Sequence, residues 1–251
     1  MRKVLVTAGA AGIGKHIAAA FLAAGDAVYT CDINEDALKA AAVDLPGLKT
    51  GGCNIGDRAQ IEHMVADAAA QLGGIDVLVN NAGGLGSVRP LWEQTSDETA
   101  RTIALNLTAP LQLMQAVLPG MIARGQGHVV NLCSIAGQGA LAGTTTYGAA
   151  KAGLAQAGRG LRFDLAGSNI RITDIAPGRV ETEFYLTAFG GDAATLKDRM
   201  YERQRALTAG DIAQVVLAAL HLPARANITE LTILPTDQAL GGHVYPDRSD
   251  A

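Results

Sequence analysis

Short, continuously apolar runs alternate along the chain with longer segments in which apolar residues recur every three or four positions. The first run, KVLVT at Lys3 to Thr7, predicts a strand; a glycine-rich turn follows, then a helix from about Ile13 to Ala24 that ends at Gly25. DAVYTCDI predicts a second strand with Asp32 at its end, followed by a short helix around Glu35 to Val43 before Pro46 and Gly47. LKTGGCNIGD holds a third, weaker strand leading to Asn54, and RAQIEHMVADAAAQLG places Ile61, Met64, Val65 and Ala68 at helical spacing. IDVLVNNAGG is an apolar strand that stops in two asparagines and a glycine; one helical segment then runs through Asn106, Leu111 and Val117. GHVVNLCS predicts a buried strand ending at Ser134, a helix spans about Tyr147 to Leu165, and NIRITDIAPG and ELTILPT complete the strands. Strands that are apolar throughout, separated by helices, predict an α/β fold whose parallel sheet is covered on both faces. The segment Glu183 to Arg205 interrupts the alternation and mixes Phe184, Tyr185, Leu186 and Phe189 with glycines; a substrate lid and a surface helical hairpin both fit it. Trp92 and Phe163 are expected to fill packing sites.

Length and composition narrow the class. A chain of 251 residues, 49% hydrophobic and 18% charged, suits one compact domain over 1–251 and argues against disorder. A formal charge of -4 offers no basic footprint for nucleic acid, although a local arginine can still bind a small anion. The start MRKVLVTAGAAGIG reads as the domain's first strand with no signal peptide, and no window reaches the roughly 20 apolar residues of a membrane span. Cys31, Cys53 and Cys133 are odd in number and widely spaced, so buried free thiols in a reducing cytoplasm are expected, with no metal. His16, His63, His128, His221 and His243 form no ligand cluster and carry no catalytic assignment.

TAGAAGIG supplies Gly9, Gly12 and Gly14 after the first strand. Such a turn opening a helix lets backbone donors approach a pyrophosphate, and tight packing alone explains the glycines equally well. Asp32 shifts that balance. It stands where a carboxylate receives the hydroxyls of an adenosine ribose, with a helix cap as its other reading, and position 33 offers no arginine for a ribose phosphate. NAD is therefore the expected cofactor. TTTYGAAKAG places Tyr147 and Lys151 four apart on one helix face, near the end of the strand that carries Ser134. Hydride transfer at a carbonyl needs a proton donor for the developing alkoxide. Tyr147 can serve, an adjacent ammonium lowers its pKa from about 10, and Ser134 can hydrogen-bond the substrate oxygen.

These motifs resemble the short-chain dehydrogenase/reductase family over nearly the whole chain. TAGAAGIG is similar to the family's cofactor loop, NNAG at Asn80 to Gly83 to the motif after its fourth strand, and Asn106 to its water-positioning asparagine; Ser134, Tyr147 and Lys151 match its catalytic set. The resemblance implies a Rossmann-type doubly wound sheet, an oxidoreductase acting on a small alcohol or carbonyl, and a homotetramer or homodimer. It implies that Tyr147 exchanges the proton, Lys151 lowers its pKa and holds the nicotinamide ribose, and Asn106 joins Lys151 to a proton-relaying water. It also implies cofactor contacts from Gly9, Gly12, Ile13 and Gly14; from Asp32, Asn54 and Ile55; from Asn81, Ala82 and Gly83; and from Pro177, Gly178, Val180 and Thr182. Asn54 replaces a frequent aspartate, and Ala8 a frequent glycine that a methyl can replace if its dihedrals are ordinary.

Within the family, RITDIAPGRVETEF and LPARANITELTILPTDQALGG resemble serine and 3-hydroxy acid dehydrogenases, which tend to use NADP; Asp32 departs from that pattern. By family position the substrate wall draws on Gln138, Leu141 and Thr144, on Phe184 and Tyr185, on Gly84 and Leu85, and on Arg179, which could pair with a carboxylate or sulfonate or simply face solvent. A dehydrogenase of polyols or apolar secondary alcohols remains open, as does a catalytically silent dinucleotide-binding protein.

Overall fold

The structure is a computed structural model that describes residues 1–189, 191–197 and 205–238. In chain order its elements are β1 (Lys3–Thr7), α1 (Gly12–Ala23), β2 (Ala27–Asp32), α2 (Glu35–Asp44), β3 (Lys49–Gly52), α3 (Arg58–Leu72), β4 (Val77–Asn80), α4 (Ser96–Ile103), α5 (Ala109–Arg124), β5 (Gly127–Leu132), α6 (Thr145–Asp164), β6 (Ile170–Pro177), α7 (Ala193–Lys197), α8 (Ala209–Leu220) and β7 (Glu230–Ile233). All the strand pairs are parallel, in the order β3-β2-β1-β4-β5-β6-β7. This is a doubly wound, Rossmann-type sheet.

The continuous apolar strands follow from burial on both faces. Leu5, Leu78, Val129 and Ile172 pack with α3, α5 and α6 residues such as Ile61, Leu113 and Leu154. Their sequence neighbours Val4, Val6, Val79 and Val130 turn to the other face and meet Ile17, Phe21, Ile212 and Val216 of α1 and α8. The order reverses between β1 and β4, which opens a crevice at the strands' C-terminal ends. Thr7 closes its floor: its hydroxyl donates to the Val79 carbonyl at 3.3 Å and accepts from the amides of Asn81 and Ala82 at 3.1 and 3.0 Å.

Several expectations shift. The helix expected through Asn106 and Val117 is broken by a π-helical turn, Ala104–Thr108, between α4 and α5. Trp92 and Phe163 do not fill packing sites; they are 85% and 87% exposed, Trp92 in a short 3₁₀ turn and Phe163 near the end of α6. Ala8 has φ 51, in the left-handed region, so the condition of ordinary dihedrals under which a methyl there is tolerated without strain is not met. The expected lid, 183–205, lies partly outside the described residues; within them it forms a 3₁₀ segment, Glu183–Phe189, and α7. Among the described residues no helix is long and apolar enough to cross a membrane. Cys31, Cys53 and Cys133 are buried free thiols.

Candidate active site

The three glycines after β1 have different physical reasons. A Cβ on Gly9 would strike the Thr30 hydroxyl, and one on Gly14 would lie 2.5 Å from Asn81 Nδ2 and run into the Ala8 carbonyl. Gly12 instead has φ +53 and opens toward the Thr182 side chain. Asn81 Nδ2 donates to the carbonyls of Thr7 and Ala8 at 2.9 and 3.1 Å, fixing the turn to the end of β4. The N-cap of α1 is Ala11, which has no side-chain acceptor for the first-turn amides. Those amides, with the helix dipole, make an anion cradle.

From this cradle a cavity of about 630 Å³ runs to the ends of β5 and β6. Its wall includes Asp32 and Ile13, Asn81 and Gly83, and Ser134, Tyr147, Lys151, Pro177, Gly178 and Val180, with Gly12 and Thr182 side by side. Phe184 and Tyr185 cover the Tyr147 end, with ring centroids 5.9 Å apart for Tyr147 and Phe184 and 5.4 Å for Phe184 and Tyr185. Leu85 and Ala136 pack against Tyr147 in the same apolar cluster.

Tyr147 and Lys151 sit in the first two turns of α6, and both are buried. Lys151 Nζ donates to the Leu132 carbonyl at 2.8 Å and lies 5.8 Å from the centre of the Tyr147 ring. Burial lowers the Lys151 pKa to about 8. Burial pushes Tyr147 up from its ordinary value, against the opposing effect of a hydrogen bond with Ser134. The expected depression of Tyr147 by Lys151 is therefore not the dominant influence in this pocket; removal from water is. Ser134 also accepts the Ala136 amide at 3.1 Å, which orients its hydroxyl.

Asn106 is fully buried in the π turn. Its Nδ2 donates to the carbonyls of Gly84 and Thr102 at 2.8 and 2.9 Å, and its Oδ1 accepts the Gly84 amide at 3.2 Å. A Cβ on Gly83 would lie 2.8 Å from that Oδ1 and 3.2 Å from Lys151 Nζ, so the glycine lets the backbone pass between them. A π turn carrying a buried polar residue recurs at functional sites.

Other expected site residues lie elsewhere. Gly9, Gly14 and Ala82 stand behind the cavity wall, and Ile55 is in the core. Asn54 is exposed and its Oδ1 accepts the Gly56 amide at 2.9 Å. Gln138 exchanges hydrogen bonds with Thr232 at 3.0 and 3.1 Å, Thr144 bonds the Leu141 carbonyl at 2.9 Å, and Leu141 is 40% exposed. Arg179 is not on the described wall; its backbone pairs with Leu207 at 2.9 Å and with Gln238 at 3.0 Å. Sequence reading missed Thr7 and the Leu132 carbonyl. The hydroxyl at the end of β1 was a legible signal, whereas a backbone carbonyl has no signature in the sequence.

The short chain dehydrogenase family matches residues 2–189. The chain belongs to that family. It is 38% identical over 241 residues to the NADP-dependent 3-hydroxy acid dehydrogenase YdfG of Salmonella typhi, covering 95% of this chain and 97% of the relative. It is 33% identical over 240 residues to sulfoacetaldehyde reductase 2 of Chromohalobacter salexigens, covering 94% and 95%. A solved closed form of serine dehydrogenase complexed with NADP+ superimposes with a TM-score of 0.91 at 35% identity, covering 96% of this chain and 98% of that one.

These relatives overturn the expectation of NAD, and with it the family assignment as an NAD-type member and NAD-dependent enzyme. The expectation rested on Asp32 and on the lack of an arginine at position 33. One Asp32 oxygen accepts the Asn34 amide at 3.1 Å, and Lys15 and His16 share the cavity wall with it, so the carboxylate does not by itself define the charge at that end.

Proposed function

We propose that this short chain dehydrogenase is an NADP-dependent oxidoreductase that interconverts a small 3-hydroxy acid and its 3-oxo form by hydride transfer. The observation that carries the reading is the meeting of Ser134, Tyr147 and Lys151 at one end of a cavity whose other end is the uncapped start of α1. Its substrate class and cofactor are supported by the 3-hydroxy acid dehydrogenase and the serine dehydrogenase complex with NADP+.

The residues present fit a dinucleotide. The first-turn amides of α1 would hold the pyrophosphate with Thr182 beside Gly12, Lys15 and His16 would stand toward the adenosine and Lys151 toward the nicotinamide. When bound, the dinucleotide accepts a hydride in oxidation and returns it in reduction. Ser134 orients the substrate oxygen beside the Tyr147 hydroxyl. In oxidation Tyr147 takes the alcohol proton as the carbinol hydrogen leaves as hydride; in reduction it returns that proton to the alkoxide. The Lys151 ammonium favours phenolate, and Asn106 holds the Gly84 backbone beside it. The 3₁₀ segment with Phe184 and Tyr185 acts as a lid, keeping water from the reacting atoms. The chain self-associates as a homotetramer or homodimer, a reading supported by the exposure of Leu91, Trp92 and Phe163.

The test is NADP+ reduction over a panel of 3-hydroxy acids, hydroxysulfonates, polyols and apolar secondary alcohols. Highest kcat/KM is expected for the acids. Preference for polyols or apolar alcohols would replace the substrate class, and tight NADPH binding without turnover would identify a silent binding protein.

A further inference from the structure

Cys31 and Cys53 are buried together in the apolar core on the α3 face of the sheet. The ladder partner of Cys31 on β3 is Gly51; Cys53 follows two residues later on the same face, and its amide donates to the Asp32 carbonyl at 2.9 Å. The two thiols lie against each other and share a hydrogen bond. That bond makes them chemically unequal: with the help of burial it holds Cys31 well above the ordinary thiol range, and it lowers Cys53. Cys133 follows β5, with β1 and β4 between it and the pair, and burial pushes it up to about 12. Neither Cys31 nor Cys53 lines the catalytic cavity, so the proposed reaction leaves the pair unused.

The thiolate is the attacking species in thiol oxidation, which makes Cys53 the nucleophile and Cys31 the resolving thiol. Cys53 also lies nearer to solvent, because its neighbours Gly52 and Asn54 are exposed. β3 is an edge strand, held on one side only, and Gly51 and Gly52 precede the cysteine; its end can shift where a central strand could not. A shift is needed. Diagonal neighbours on adjacent strands are roughly 7–8 Å apart at Cα, whereas a disulfide spans about 5.5–6 Å. The displacement reaches the cofactor cavity directly, since Asp32, next to Cys31, is on its wall and is bonded to the Cys53 amide.

We propose that Cys31 and Cys53 form a reversible disulfide when a hydroperoxide oxidises them, and that this disulfide weakens dinucleotide binding beside Asp32. The Cys53 sulfur attacks a peroxide oxygen, the O–O bond breaks, and the thiol's proton leaves with the departing alcohol, or with water when the oxidant is hydrogen peroxide. Cys53 is then a sulfenic acid. The Cys31 sulfur attacks it, the S–O bond breaks as the S–S bond forms, and the hydroxyl departs as water with the Cys31 proton. Two thiols lose two electrons in all, and the peroxide gains them. Closing the bond draws the end of β3 back along β2 and displaces the Asp32 backbone with it. This inference rests on the dinucleotide reading of the cavity given above.

The experiment treats the folded enzyme with hydrogen peroxide, maps its tryptic peptides without reduction, and measures Kd for NADPH and for NADH before oxidation, after it, and after a thiol reductant. A Cys31–Cys53 linkage is expected with Cys133 left free, together with a rise of at least about 5-fold in both Kd values that the reductant reverses, the usual scale of coupling between two sites. By reciprocity, saturating NADPH should disfavour the disulfide by the same factor in a glutathione redox buffer. Cys31→Ala and Cys53→Ala should bind dinucleotide as wild type does and lose the response to peroxide. Absence of the Cys31–Cys53 linkage in oxidised, folded wild type overturns the modification site, and a linkage that changes Kd by less than about 2-fold overturns its effect on binding. Reduced enzyme that binds neither NADPH nor NADH overturns the dinucleotide reading, and with it the effect on binding, while the peptide map still decides the disulfide. If either variant fails to fold, the wild-type map and Kd values decide.

Discussion

Burial acts on Tyr147 and Lys151 in opposite senses, raising the phenol and lowering the ammonium to about 8. Both are pushed toward neutrality, whereas reduction of a carbonyl needs both protonated. In the reducing direction kcat/KM should therefore fall as pH rises through about 8. Arginine remains charged throughout this range, so Lys151→Arg should move the limb upward even if overall activity drops. A pH profile with the limb unmoved would assign it to another group. Ala8, held at φ 51, offers a second residue-scale test. Ala8→Gly should raise stability by about 0.5–1 kcal/mol, the left-handed strain relieved less the added chain entropy, and a urea titration showing a loss would contradict this. Tyr147, Lys151 and Ser134 were legible in the sequence because chemistry requires their residue types at that spacing. Cofactor choice was not, because Asp32 reveals a charge and not how its oxygens are used or what stands opposite. Trp92 and Phe163 misled for a related reason: residue type gives a preference for burial, and the helix or turn face decides.

At the scale of elements, α6 carries the catalytic pair in its first turns and is tied to the sheet farther along. Asp174 on β6 accepts Asn131 Nδ2 at 2.8 Å and Arg162 of α6 at 2.9 Å; Arg162 and Arg159 both reach Glu230 on β7. Gly158 lets the helix rest directly on this carboxylate, since a Cβ there would lie 2.6 Å from Asp174 Oδ1. Gly158→Ala must displace α6 or break the buried pair, and we expect a loss of about 2–4 kcal/mol in denaturant unfolding together with reduced turnover. Stability within about 0.5 kcal/mol of wild type would show that α6 is not seated on Asp174 as described. Strand and helix order was readable because period and burial agree along most of the chain. The π turn was not: one added residue in an otherwise continuous helix barely disturbs the apolar pattern, although it places Asn106 at Gly84.

The whole molecule joins these parts through one topological fact, the reversal of strand order between β1 and β4. It sets the glycine turn, the Asn81 loop and the start of α6 around a single crevice, where a dinucleotide and a small alcohol can meet. The most direct test compares kcat/KM for NADP+ and NAD+ with one 3-hydroxy acid at fixed ionic strength, in wild type and Tyr147→Phe, with NADPH binding followed separately. We expect wild type to favour NADP+, and Tyr147→Phe to lose at least about 10²-fold in turnover while binding NADPH nearly as before, because phenylalanine keeps the ring and cannot exchange a proton. Near-normal turnover by Tyr147→Phe, or a wild-type preference for NAD+, would contradict the proposed NADP-dependent reaction at Tyr147.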